Sequence, residues 1–116
     1  MESTQLLKRK VDLFISDPWD FGTVCGSGPF SGEITQFDER HILVGLDCPI
    51  SYQGITYFSV LCAVRHTGVT VRAMRAGRDM HMNLILLPMH AECLSDIHVD
   101  DQRKGLAGIG AIRLST

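Results

Sequence analysis

Between residues 60 and 87 apolar side chains recur at nearly every second position, and two glycines, Gly68 and Gly77, interrupt the run. A period of two is the spacing at which one face of a β-sheet is buried and the other left wet; a slip of one residue exchanges the faces. With Thr67-Gly68 as a two-residue hairpin turn, Val64 falls opposite Val71, Cys62 opposite Ala73 and Arg65 opposite Thr70. With Ala76-Gly77-Arg78-Asp79 as a four-residue loop, Ala73 opposes Met82, Val71 opposes Leu84, Arg72 opposes Asn83 and Met74 opposes His81. Both turns yield the same apolar face, so the segment is expected to form a three-stranded antiparallel meander.

The flanking sequence extends this pattern. Val11, Leu13 and Ile15 alternate in a strand that ends at Ser16. Asp17-Pro18-Trp19-Asp20 has the form of a helix start, but Gly22, Gly26 and Gly28 leave space for only a single turn or a compact loop before Phe30 to Phe37 resumes an extended course. His41 to Asp47 is apolar at consecutive positions, as a strand covered on both faces would be. The turn before it, around Asp38-Glu39-Arg40, fits either two or three residues and leaves that register open. Met89 to Ile97 fits a short helix carrying Cys93 and Leu94 inward, and Asp100 to Gly105 a solvated turn. Leu106 to Leu114, with Gly105, Gly108 and Gly110, suits a bent strand at a barrel corner. The expected fold is mainly β: a small antiparallel meander barrel or strongly curled sheet of about seven strands with one or two short helical turns. The competing architecture is an α+β open sheet, with a real helix in the first dozen residues or over Met89 to Ile97. At 116 residues, the chain is expected to be a single globular β-rich domain spanning 1–116.

A net charge of −2 gives no global pull toward nucleic acid. No secretory apolar stretch follows the N-terminal residues, and the longest apolar-leaning run, Ile55 to Val64, is about half of what a membrane helix needs. Cys25, Cys48, Cys62 and Cys93 form no C-x-x-C pair, so they are expected to be reduced and mostly buried in a soluble, cytoplasmic protein without membrane partners.

The patterns that carry chemistry fail one after another. Gly26 to Gly32 is glycine-rich, but a strand-like segment follows and no Lys is near, so nothing there converges on a phosphate; the flanks of Ser27 lack the spacing of a nucleophile elbow. His90-Ala91-Glu92 resembles the H-x-E of zinc deaminases, yet no downstream P-C-x-x-C completes a zinc shell, and His90, Cys93 and His98 do not have a recurrent zinc spacing. Cys25 reads as a small buried hydrophobe, Asp17/Asp20 as a cap and Asp100/Asp101 as a wet turn. No catalytic residue, metal ligand or cofactor is assigned.

The proposed meander leaves Arg65, Thr70, Arg72, His81 and Asn83 on its outer face, with Arg75 and Arg78 at the adjoining hairpin end. Arginine presents a planar fork of donors to carboxylate or phosphate, and the near absence of aromatic residues there favours a protein partner over single-stranded nucleic acid. Asp17, Trp19 and Phe21 on the corner loop offer a second contact surface, or a plug for a barrel end. The expected function is therefore a non-enzymatic cytoplasmic binding module. It would recognise another macromolecule, foremost a protein, through Arg65, Arg72, Arg75, His81 and Asn83 or through the Gly/Trp loop 17–30 with Asp17 and Trp19. Two alternatives stand beside it: an immunity or inhibitor protein that blocks a toxin enzyme, and a small-ligand-binding or enzymatic barrel with its site at the mouth.

Overall fold

The computed structural model describes residues 7–16, 29–52, 54–78 and 80–114. Six strands, β1 (Lys10–Ser16), β2 (Phe30–Phe37), β3 (His41–Tyr52), β4 (Ile55–Ala63), β5 (Met80–Leu87) and β6 (Leu106–Leu114), pair antiparallel in chain order. The sheet closes into a barrel when β1 pairs with β6, from Val11 opposite Leu114 to Ser16 opposite Ile109. The helix α1 (Thr67–Arg75) joins β4 to β5, and a 3₁₀ turn (Leu94–Asp96) and a short helix α2 (Val99–Lys104) lie between β5 and β6. Among the described residues no helix is long and apolar enough to cross a membrane.

The expected mainly-β barrel is thus the observed architecture, with six strands where about seven were expected. The missing strand is the middle of the proposed meander. Val69 to Met74 is helical, so Val71 and Ala73 have no strand partners; β4 pairs directly with β5, placing Cys62 opposite Leu84 and Ala63 opposite Asn83. The sequence fits both periods: Thr67, Thr70, Val71 and Met74 are the buried residues of α1, spaced i, i+3, i+4 and i+7. Gly77 ends the helix rather than centring a hairpin loop. It takes φ +76°, its N–H reaches the Met74 carbonyl at 3.1 Å, and the Arg78 N–H reaches Ala73 at 3.0 Å, the paired bonds of a Schellman cap.

The barrel interior is filled by alternate residues of every strand: Val11, Leu13 and Ile15, Ile34, Ile42 and Val44, Val60 and Cys62, Leu84 and Leu86, and Ile112. Val71 and Met74 of α1 join the same cluster, so the helix stoppers one mouth of the barrel. The turn left open by sequence is a two-residue one, Glu39-Arg40, since the Asp38 N–H donates to the His41 carbonyl at 2.9 Å. A register shift between Ile34 and Gln36 then keeps Ile34, Ile42 and Val44 on the inner face.

The doubly apolar strand is also as expected. Leu43 points out of the barrel and is buried in a second cluster with Leu61, Leu87 and Ala91. The segment after β5 lies over this outer face; it carries Met89, Leu94 and Ile97 against it, and of the helix expected over Met89 to Ile97 only Leu94–Asp96 is wound. The residues expected as a wet turn, from Asp100 onward, include most of α2. Of the three described cysteines, Cys62 is buried, Cys93 half-buried and Cys48 exposed, which corrects the expectation of mostly buried thiols.

Gly110 marks where the closing strands come closest. A methyl group there would stand 2.2 Å from the Phe14 carbonyl oxygen and 2.5 Å from Leu84 Cδ1. Backbone cannot yield as a side-chain tip can, so Gly110→Ala is expected to lower the unfolding free energy by about 1–3 kcal/mol, the range for an overpacked core. Urea unfolding measures it; an unchanged midpoint would show that β1 and β6 do not approach so closely.

Candidate functional site

The site begins with what holds α1 in place. Its first residue, Thr67, donates its backbone N–H to the Glu39 carbonyl at 2.8 Å and its hydroxyl to the Asp38 carbonyl. The β2–β3 turn thus caps the helix in place of a side chain at His66, which makes no capping bond. That turn is itself pinned by the Asp38 carboxylate, which accepts from the backbone N–H of Arg40 at 2.8 Å, that of His41 at 2.7 Å, and faces the His41 ring at 3.1 Å. Desolvation raises the pKa of Asp38, but the Arg40 N–H and the His41 ring and N–H outweigh it and leave the carboxyl below its ordinary 3.8.

The far side of α1 overhangs the outer surface of the barrel. Ala63, Asn83 and Ile109 form one row across β4, β5 and β6, since Asn83 pairs with Ala63 on one side and Ile109 on the other. Between this row and the helix runs an open groove of about 560 Å³, with Val64, Val69 and Met82 adding apolar surface and Arg65, His66, Thr70 and Asn83 adding polar groups. Val69 is 50% exposed and Ile109 45%, two β-branched side chains left wet across one cleft. Thr70 is spent on the fold: its hydroxyl donates to the His66 carbonyl at 3.1 Å.

The residues singled out by sequence divide accordingly. Arg65, Thr70 and Asn83 meet at the groove, although through a helix and a direct β4–β5 pairing instead of a meander. Arg72 is on α1 instead of on a sheet face, and Arg75 is on α1 instead of at a hairpin end; both are exposed and neither lines the groove. His81 lies in β5 opposite Ala111. Asp17, Trp19, Phe21 and Cys25, with the rest of the Gly/Trp loop as far as Gly28, lie outside the described residues. The groove residues that sequence reasoning missed are Ala63, Val64, His66, Val69, Met82 and Ile109. Val69 had a detectable signal: it falls off the buried stripe once the helical period is adopted. Ile109 had none, because its place depends on the pairing of β5 with a strand that follows some twenty residues later.

Chemically the groove is poor in reactive groups. Among its described lining residues His66 is the only imidazole, and none carries a carboxylate or a thiol. Cys62, on the inner face of β4, is wholly buried, which pushes its thiol up to about 12. The His90, Cys93 and His98 set does not assemble: His90 stacks on Phe58 at 4.3 Å and Cys93 Sγ is 3.1 Å from Ser95 Oγ. Among the described residues no three His, Cys, Asp or Glu side chains converge to hold a metal ion.

Charge supplies the remaining character. Residues 64–79, between β4 and β5, contain four arginines (Arg65, Arg72, Arg75 and Arg78) and one acidic residue, Asp79, in a chain whose net charge is −2. The fold and site together define a closed, six-stranded, helix-stoppered barrel with a basic, apolar groove beside the stopper. No protein family, curated protein or solved structure matches the chain.

The capped turn gives a test of how α1 is held. Because Asp38 titrates below its unfolded value, its contribution to stability is present above about pH 4 and is lost as pH falls through the folded pKa. Asp38→Ala is expected to cost about 1 kcal/mol at neutral pH, the size of losing a capping oxygen. Thermal melts of both proteins from pH 7 to pH 2.5 should converge at the acid end; a gap that persists there would assign the effect to something other than the charge.

Proposed function

We propose that this domain is a non-enzymatic protein-recognition module that binds an acidic polypeptide segment in the groove beside α1. The reading is carried by one observation: Val69 and Ile109 stand half exposed across a cleft that also holds Arg65, within a connection of four arginines and a single acid. Apolar side chains left in water at one place are stabilised by a partner that covers them, and a desolvated centre ringed by polar groups is where interfaces concentrate their energy. Arg65 and the Asn83 amide then serve orientation, since an arginine fork pairs with a carboxylate in a fixed plane. The scarcity of reactive groups among the described lining residues favours recognition over catalysis, and the absence of aromatic side chains among them favours a polypeptide over single-stranded nucleic acid. We place the module in the cytoplasm, where the described thiols stay reduced.

Fluorescence anisotropy tests the reading with labelled ten-residue peptides that alternate Leu with Asp or Leu with Lys. The acidic peptide should bind and the basic one should not. Val69→Asp should weaken binding at least tenfold, whereas Arg72→Ala, outside the groove, should change it less than threefold at physiological salt. Equal binding of both peptides, or an acidic peptide indifferent to Val69→Asp, would refute the proposal.

A further inference from the structure

We infer that the occupant of the groove is the acidic segment of a second copy of this chain, which joins molecules head to tail; this rests on the groove being the binding site. The sequence between β5 and β6 is the electrostatic counterpart of α1. That connection, residues 88–105, holds Glu92, Asp96, Asp100 and Asp101 against Arg103 and Lys104 in the last turn of α2, and so remains net acidic. In an antiparallel barrel successive connections alternate between ends, so the β4–β5 connection with its arginines and the β5–β6 connection with its carboxylates leave from opposite ends.

The acidic segment also supplies the apolar anchor that the groove lacks. Val99, the first residue of α2, is 66% exposed, above every other large apolar residue among those described. Asp100 follows it and is exposed. Just upstream, Asp96 is held in its charged form, its carboxylate receiving the Cys93 and Glu92 N–H groups, and its carboxyl lies below the ordinary 3.8, chiefly through the Cys93 side chain. A β-branched knob next to a carboxylate fits a cleft formed by Val69 and Ile109 next to a guanidinium. Val99 covers the two wet side chains, and Asp100 pairs with Arg65.

Such a contact is heterologous, because the surface given differs from the surface received. Joined head to tail, each molecule that fills a neighbour's groove leaves its own groove open to a third, so the series continues unless the rotation closes it into a ring. Attraction between exposed charges across the joint is screened by salt, while burial of Val99 is not.

Sedimentation velocity of the full chain from about 10 µM to 1 mM tests this. The expected result is a weight-average mass that keeps rising past that of a dimer and falls in about 0.5 M NaCl. Arg65→Glu and Val99→Asp should each remain monomeric alone, with unchanged circular dichroism. Mixed, they should form a one-to-one complex and nothing larger, since one retains only the knob and the other only the groove. A wild-type chain monomeric throughout, or a mass that stops at the dimer while the two variants fail to combine, would overturn the inference. The acidic Leu/Asp peptide separates the two levels: if it binds while the wild-type chain stays monomeric, the self-contact alone is wrong; if it does not bind either, the groove is not the site.

Discussion

Closure of the sheet through β1 and β6 is the constraint on which the other features depend. Once six strands pair in a ring, no strand is left at the edge of an open sheet. Closure also sets a packing demand at the mouth between β4 and β5. Val71 and Met74 meet it from α1, and a helix laid there to bury one stripe necessarily presents its other sides to solvent. Val69 is on such a side, so the groove is a by-product of plugging the barrel.

Much of the architecture was legible because inner-face residues alternate strictly. Val11, Leu13 and Ile15 announce β1, and the consecutive apolar residues around Leu43 announce a strand buried on both faces. The misread segment had the opposite property. In Val69-Thr70-Val71-Arg72-Ala73 an alternation of β-branched and polar residues satisfies a period of two, while Thr67, Thr70, Val71 and Met74 satisfy the helical period equally well. Propensity favoured the strand; the tertiary vacancy at the barrel mouth and the glycine cap at Gly77 favoured the helix and prevailed. Arg65 and Asn83 still came out as neighbours because both lie next to the true β4–β5 pairing, whereas Arg72 was carried off by the turn of the helix.

The arginines and carboxylates show how a chain of nearly balanced charge acquires polarity. Net charge averages over a surface, but the connections between antiparallel strands sort residues by end, so two segments of opposite sign become separated without any change in the total. Where exposed apolar side chains coincide with each of those segments, the separation becomes a means of selecting one partner orientation over another.

The second apolar cluster has a different consequence. The segment that covers Leu43, Leu61 and Leu87 is held to the barrel through side chains: Ser59 Oγ accepts from the Ala91 N–H, the Gln36 side-chain carbonyl from the Leu94 N–H, and His90 lies against Phe58. Covering segments held by side chains, in contrast to the cross-strand ladders of the ring beneath, belong to the parts of a fold that open first. Lifting this segment would lay bare three leucines on adjacent strands together, a sticky patch that the resting state conceals.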